Sequence, residues 1–251
     1  MKFGKRLKKQ IEDTIPEWRE KFLSYKDLKK LVRLISAAHP STKAEAEFVE
    51  LLNSEIEKFN SFFIEQEEEF IIQQRELQDR IEKLKERFEP SDAEYMAEME
   101  QIWKDIVNFH GEMVLLLNYS SVNYTGCLAK ILKKYDKRTG LLLRLPFIEK
   151  VLKQPFFTTE LISKLVKRCE TMMDSVFPLA SGMEDQTEMK EREATAINEP
   201  SILKNTVAAL VTMQELRNGS STYGHFSLPP LDLLEFDFLQ SLSLPSPIPI
   251  Q

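Results

Sequence analysis

The sequence predicts an all-α protein built on a long antiparallel helical hairpin, with shorter helices at its N-terminal and C-terminal ends. Three observations carry this expectation. Glycine is scarce, with 7 in 251 residues, while the helix formers Glu, Lys and Leu abound. Phe48, Leu51, Leu52, Ile56, Phe59, Phe63, Phe70 and Leu77 keep near-heptad spacing in a stretch that runs to about Phe88. A second stripe, Met99, Ile102, Ile106, Phe109, Met113 and Leu116, follows the turn signal Glu89-Pro-Ser-Asp. Two such helices joined by a short turn make a hairpin about 60 Å long at 1.5 Å per residue.

Each element has its own local reason. Phe3, Leu7 and Ile11 have helix spacing within an N-terminus that carries five cations in its first nine residues. Three large apolar residues are a modest membrane anchor, so this helix is expected to dock on the protein and not on a bilayer surface. Thr14-Ile-Pro-Glu17 has the form of a capping box with Pro in the first turn, and Trp18 and Phe22 follow as an i, i+4 aromatic pair. Ser24 is the expected N-cap of the next helix, with Asp27 at N3 and Leu28, Leu31, Val32 and Ile35 on its buried side. After a His39-Pro-Ser-Thr-Lys loop, Thr42-x-x-Glu45 opens the first long helix and Ser91-x-x-Glu94 the second, with a bend expected near Gly111 or Gly126. That helix ends at Arg138-Thr-Gly140, where Gly140 is placed for a C′ cap. Leu145-Pro-Phe-Ile starts a short helix, Gln154-Pro marks a turn, and Thr158 to Phe177 forms a further amphipathic helix.

One stretch points to chemistry. In Lys130-Ile-Leu-Lys-Lys-Tyr-Asp-Lys137 the lysines fall at 130, 133, 134 and 137, while Leu128, Ile131, Leu132 and Tyr135 repeat the same spacing two residues earlier. At 100° per residue the two stripes lie back to back, one for a core and one presenting four ammonium groups. The dipole at the helix C-terminus favours one or two cations there, not four in one stripe. A second candidate contact is Tyr25 beside Lys29, at i, i+4, where a phenol hydroxyl and an ammonium can donate to the same anion; Lys26 stands beside Lys30 in the same way.

Charge is segregated along the chain. Residues 1–33 carry 11 basic and 5 acidic side chains and residues 130–168 carry 11 and 3, whereas residues 34–129 carry 8 and 20 and residues 169–251 carry 4 and 12. If the fold joins the two basic blocks, one concentrated positive site results on an acidic body. Such a site attracts a compact polyanion, while the acidic remainder repels long nucleic acid. Direct DNA binding is expected to be weak, because no recognition helix with base-reading residues is present. An enzyme acting on phosphate compounds needs a Walker loop, metal carboxylates or a nucleophile with its base, and the sequence offers none; no catalytic residue, metal site or cofactor is expected. Cys127 and Cys169 form no framework, the N-terminus lacks a signal-peptide core, and no run approaches the roughly 18 apolar residues of a span. A soluble intracellular protein without membrane insertion is the expectation.

These residues together resemble the SPX domain, a family of intracellular phosphate-signalling modules. The motifs that carry the resemblance are Met1-Lys-Phe-Gly-Lys5, Tyr25-Lys-Asp-Leu-Lys29, Phe59-Asn-x-Phe-Phe63, Asn123-Tyr-Thr-Gly126 and Lys130-Ile-Leu-Lys-Lys-Tyr-Asp-Lys137, in that order. The resemblance covers residues 1–177 as an SPX-like helical domain. An acidic linker (178–200), a C-terminal helix (201–218) and a Ser/Pro-rich tail expected to be disordered (219–251) follow, and the stretch after 200 resembles the extension of plant stand-alone members. The resemblance implies a site for inositol polyphosphates, above all inositol pyrophosphates, on Tyr25, Lys29 and Lys134, with Lys2, Lys26, Lys130, Lys133 and Lys137 around them. It further implies ligand-dependent binding and inhibition of MYB coiled-coil transcription factors of the phosphate-starvation response. On that basis the protein is placed in the nucleus, with the cytoplasm as a second location, and a homodimer stays open. A constitutive protein-interaction adaptor, or a membrane-surface phosphoinositide-binding module, is the alternative. Cys127 stands where a bulky aliphatic is commoner in the family, a departure that bears on packing.

Overall fold

In the computed structural model, residues 3–35, 42–87, 93–140, 143–181 and 200–218 are described, and every regular element among them is helical. Helix α1 (Phe3–Glu12) leads through a 3₁₀ turn at Pro16–Lys21 into α2 (Tyr25–Leu34). The hairpin is α3 (Thr42–Arg87) and α4 (Ala93–Ser121), and α4 continues through a π-helical stretch, Val122–Leu128, into α5 (Ala129–Thr139). Helices α6 (Arg144–Val151), α7 (Glu160–Ser181) and α8 (Pro200–Asn218) complete the order. This is the all-α hairpin architecture that the spacing predicts.

The heptad stripe of α3 is its buried side: Phe48, Leu52, Ile56, Phe59, Phe63, Phe70 and Leu77 are all buried, and Leu51 packs partly buried beside them. Across the hairpin, Phe70 meets Phe109 edge-on at 5.7 Å. On the rim, Arg80 pairs with Asp105 at 2.6 Å and with Glu98 at 3.2 Å. Those pairs are partly solvated and add little beside the apolar seam. The α4 stripe is buried as predicted, but burial goes further, because every residue from Met113 to Tyr124 is buried. The run Met113-Val-Leu-Leu-Leu117 is the sequence sign of this: a helix apolar all round needs neighbours on all sides. Here α3, α7 and α8 supply them.

Several local expectations are corrected. The Thr14 capping box does not form, since the cap position of the 3₁₀ turn is Ile15, with Pro16 at its start and no side-chain cap bond. Trp18 and Phe22 serve different neighbours: Trp18 meets Phe62 at 5.4 Å and Phe22 meets Tyr119 at 4.9 Å, both edge-on. Ser24 does occupy the cap of α2, yet its hydroxyl does not cap the helix. Instead Ser24 is itself held by a carboxylate from α3: its N–H donates to Glu55 Oε2 at 2.9 Å and its hydroxyl donates to Glu55 Oε1 at 3.0 Å. Helix α7 runs through Pro178 to Ser181, beyond the end expected at Phe177. The loop about His39, the turn about Pro90, the linker from 182 to 199 and the tail after 218 lie outside the described residues.

Gly140 ends α5 as predicted, with φ 73° and its N–H donating to Asp136 O at 2.9 Å. The bend residues have different fates. Gly126 falls inside the π-helical stretch, a local widening of the kind that kinks helices. Gly111 instead lies inside α4, where its missing side chain admits α8. A Cβ at Gly111 would stand 2.7 Å from Ile202 Cγ2 and 2.9 Å from Thr206 Oγ1. Replacement of Gly111 by Leu is therefore expected to destabilise the chain by about 1–3 kcal/mol through overpacking. Ile202→Ala should recover part of that loss in the double variant, and denaturant unfolding of the four proteins of the cycle is the measurement.

Candidate polyanion site

The lysine stretch forms α5 with the two faces the spacing predicts. Ile131, Leu132 and Tyr135 are buried with Leu128 on the inner face, while Lys130, Lys133 and Lys137 are exposed and Lys134 is half-buried. The inner face is fixed to the start of α3, where Tyr135 stacks on Phe48 at 4.9 Å with 8° between ring planes. The Tyr135 hydroxyl donates to the Glu45 carboxylate. Helix α2 packs alongside with Leu28 and Val32 fully buried.

This packing brings the two basic blocks together. The Lys134 ammonium is held below the ordinary lysine range, first by partial burial and then by the positive charges of Lys29, Arg33 and Arg138. Two of the four cations come from α2 and two from α5. The seam is latched at one end by Arg138, whose Nε donates to Ile35 O at 2.6 Å and whose Nη2 donates to Arg33 O at 2.7 Å. A cation at the C-terminal carbonyls of α2 also suits that helix's dipole. At the other end, the Tyr25 hydroxyl is raised above its ordinary range by burial and by nearby Cys127, so at neutral pH it remains a donor. Burial pushes the Cys127 thiol up, and the Lys130 charge opposes that shift. Tyr25, Cys127 and Lys130 thus share one end of the seam. Two ladders at i, i+4, i+8 face each other: Tyr25, Lys29 and Arg33 on α2, and Lys130, Lys134 and Arg138 on α5.

Of the residues singled out in the sequence, Lys29 and Lys134 lie close enough for their charges to act on one another, and Tyr25 and Lys130 lie toward the Cys127 end. Lys26, Lys133 and Lys137 project to solvent from the same two helices, and Lys2 lies outside the described residues. Arg33 and Arg138 are the members that sequence reasoning missed. The signal was available, because each lies one further i+4 step along a ladder already recognised. The chemistry offered is donation and positive charge. Among the described residues, no group of His, Cys, Asp and Glu has the arrangement to hold a metal ion.

The sequence profile of the SPX domain matches residues 1–43 and 85–151. The chain is 57% identical over 251 residues to SPX domain-containing protein 3 of Arabidopsis thaliana, with all of both chains covered. To SPX domain-containing protein 3 of Oryza sativa subsp. indica it is 56% identical over 260 residues, covering 96% of this chain and 93% of the relative.

The chain belongs to the SPX domain family.

Among solved structures, it is similar to the SPX domain of glycerophosphodiester phosphodiesterase 1 of Chaetomium thermophilum, determined in complex with inositol hexakisphosphate. The TM-score is 0.51 at 25% identity, covering 70% of this chain and 99% of that one. The stretch that the SPX profile skips, 44–84, lies within α3 and contains Phe59-Asn-x-Phe-Phe63. Helix α8 lies outside the profile, yet it is within the full-length similarity to the Arabidopsis relative.

The depressed Lys134 range has a sign that can be checked. Its ammonium is disfavoured in the folded state, so its charge costs stability below the folded pKa. That cost disappears once pH rises past the unfolded value of 10.5, where the side chain is neutral in both states. Lys134→Met should therefore stabilise the ligand-free SPX protein at pH 7 and low salt, by a few tenths of a kcal/mol up to about 1 kcal/mol. The gain should shrink in roughly 0.5 M salt, where screening is short-ranged, and as pH approaches the ordinary lysine range; thermal unfolding across salt and pH reads both trends.

Proposed function

We propose that this SPX protein senses cellular phosphate status by binding an inositol pyrophosphate, or another inositol polyphosphate, on the α2–α5 seam. In its liganded form it binds and inhibits a MYB coiled-coil transcription factor of the phosphate-starvation response. The observation that carries the reading is the convergence of Lys29, Arg33, Lys134 and Arg138 with Tyr25 and Lys130 at one end. Four cations from two separate segments are packed together, and their mutual repulsion is relieved when phosphate groups enter between them. Lysine ammoniums suit a crowded set of phosphate oxygens, because they are point charges without a fixed fork. Inorganic phosphate reaches only two or three of these donors and should bind far more weakly. The inositol hexakisphosphate held by the Chaetomium SPX domain supports the ligand class.

The regulatory half of the proposal follows from where the donors sit. Half of the site is on α2, close to the N-terminus, and half lies about a hundred residues later on α5. A ligand bridging the two neutralises the patch and holds the N-terminal helices against the hairpin, completing a surface for the partner to read. Binding of the factor keeps it from its DNA sites, and the nucleus is the compartment this requires. In this reading the site is a set of donors that holds its ligand unchanged.

Two measurements test this. Calorimetric titration with inositol hexakisphosphate and with an inositol pyrophosphate should show Lys134→Ala weakened by about tenfold or more, as for loss of one charge-assisted donor; equal affinity for wild type and variant refutes the site. Pull-down of a MYB coiled-coil factor should depend on added pyrophosphate. Equal capture without it identifies a constitutive adaptor instead.

A further inference from the structure

The four residues that precede the α2 ladder, Lys21 to Ser24, are each held by a side chain from another element. The Tyr119 hydroxyl of α4 donates to Lys21 O at 2.9 Å. Lys58 Nζ of α3 donates to Phe22 O at 3.0 Å. The Leu23 N–H donates to Asn123 Oδ1 of the π-helical stretch at 2.9 Å, while Asn123 Nδ2 donates to Tyr119 O at 3.0 Å. The Ser24 N–H and hydroxyl both donate to Glu55, as described above, and Lys58 closes the set with a 2.7 Å contact to Glu55 Oε2. Glu55 has only 7% side-chain exposure and Asn123 has 0%.

We infer that Glu55, with Asn123 and Lys58, is a positioning residue for polyanion binding: it sets the axial position of α2 so that Tyr25, Lys29 and Arg33 lie opposite Lys130, Lys134 and Arg138. The inference rests on the binding reading above. Leu28 and Val32 place the buried side of α2, but apolar contact is not directional and limits axial sliding less sharply than hydrogen bonds do. Hydrogen bonds to successive backbone groups do not tolerate it, because each displaced group is left buried without its partner. The chain before Tyr25 is a 3₁₀ turn and not a helix continuous with α2, so that end is fixed by these hydrogen bonds together with the buried Phe22 and Leu23. Arg138 holds the opposite end, and the ladder is pinned at both. Glu55 is also a buried anion in a protein whose proposed ligand is an anion, which makes its role separable from simple electrostatics. Removing its charge strengthens the field that attracts a polyanion, whereas losing its hold on α2 weakens binding.

The test is calorimetric titration of the full chain with inositol hexakisphosphate, on variants shown by circular dichroism to be folded at the working temperature. Glu55→Gln is expected to bind about tenfold more weakly than wild type. In the Glu55→Gln background, Lys29→Ala should lose much less affinity than it does in wild type, whereas Lys137→Ala on α5 should cost the same fold-loss in both. That pattern of coupling is local to α2, and a general loss of stability does not produce it. Unchanged or tighter binding by Glu55→Gln overturns the inference, and so does a cycle in which Lys29→Ala is fully additive. If Glu55→Gln does not fold, the uncharged variant Ser24→Ala carries the same test, with a loss of about threefold and the same non-additivity with Lys29→Ala expected. Failure of the binding reading looks different: Lys29→Ala and Lys134→Ala would then leave wild-type affinity unchanged.

Discussion

Two cationic helix faces are held side by side by what is buried beneath them, and the proposed function rests on that opposition. Leu28 and Val32 of α2 and Ile131, Leu132 and Tyr135 of α5 are at most 2% exposed. Each such side chain contributes roughly 1.5–3 kcal/mol on burial, while a like-charge pair at the surface costs a few tenths of a kcal/mol. Burial wins by a wide margin, so Lys29, Arg33, Lys134 and Arg138 lie together in spite of their like charge. The repulsion that remains is small against the fold.

The same logic explains the centre of the molecule. The continuous helical run from α4 through the π-helical stretch into α5 carries the seam's lysines at its end and is buried on every side over Met113–Tyr124. Three of its polar side chains act as fasteners. Ser120 donates to Phe156 O at 2.5 Å, Tyr119 and Asn123 reach the chain ahead of α2, and Gly111 leaves the space into which α8 packs. The π-helical stretch lies where this run passes from core to site, and it contains both Asn123 and Cys127. Cys127, fully buried with its thiol held protonated, packs at the Tyr25 end of the seam.

Local periodicity made most of the architecture legible. The heptad stripe from Phe48, the second stripe from Met99, the Gly140 stop and the two-faced lysine helix depend on contacts between near neighbours along one helix, and the structure keeps all of them. Capping was read less well, because a helix end can be satisfied from anywhere. Thr14 and Ser24 carry the right side chains, yet Ile15 takes the first cap, and Ser24, though at the second, turns its hydroxyl to Glu55, 31 residues later. A glycine in a helix has the same ambiguity. Gly111 looked like a bend, and only the approach of α8 shows that it is a point of close contact.

What the sequence determined by itself is the class of fold, the charge segregation and the two cationic faces, since each follows from spacing along a helix of known pitch. Which of those cations meet was decided by tertiary packing. Arg33 and Arg138 join Lys29 and Lys134 because α2 lies along α5 in one register, and Lys26, Lys133 and Lys137 stay in solvent on the same helices. That register depends on hydrogen bonds between residues about a hundred positions apart, such as Leu23 with Asn123 and Arg138 with Ile35. No periodicity in either segment encodes such a pairing, because its energy exists only when both are folded against the same core.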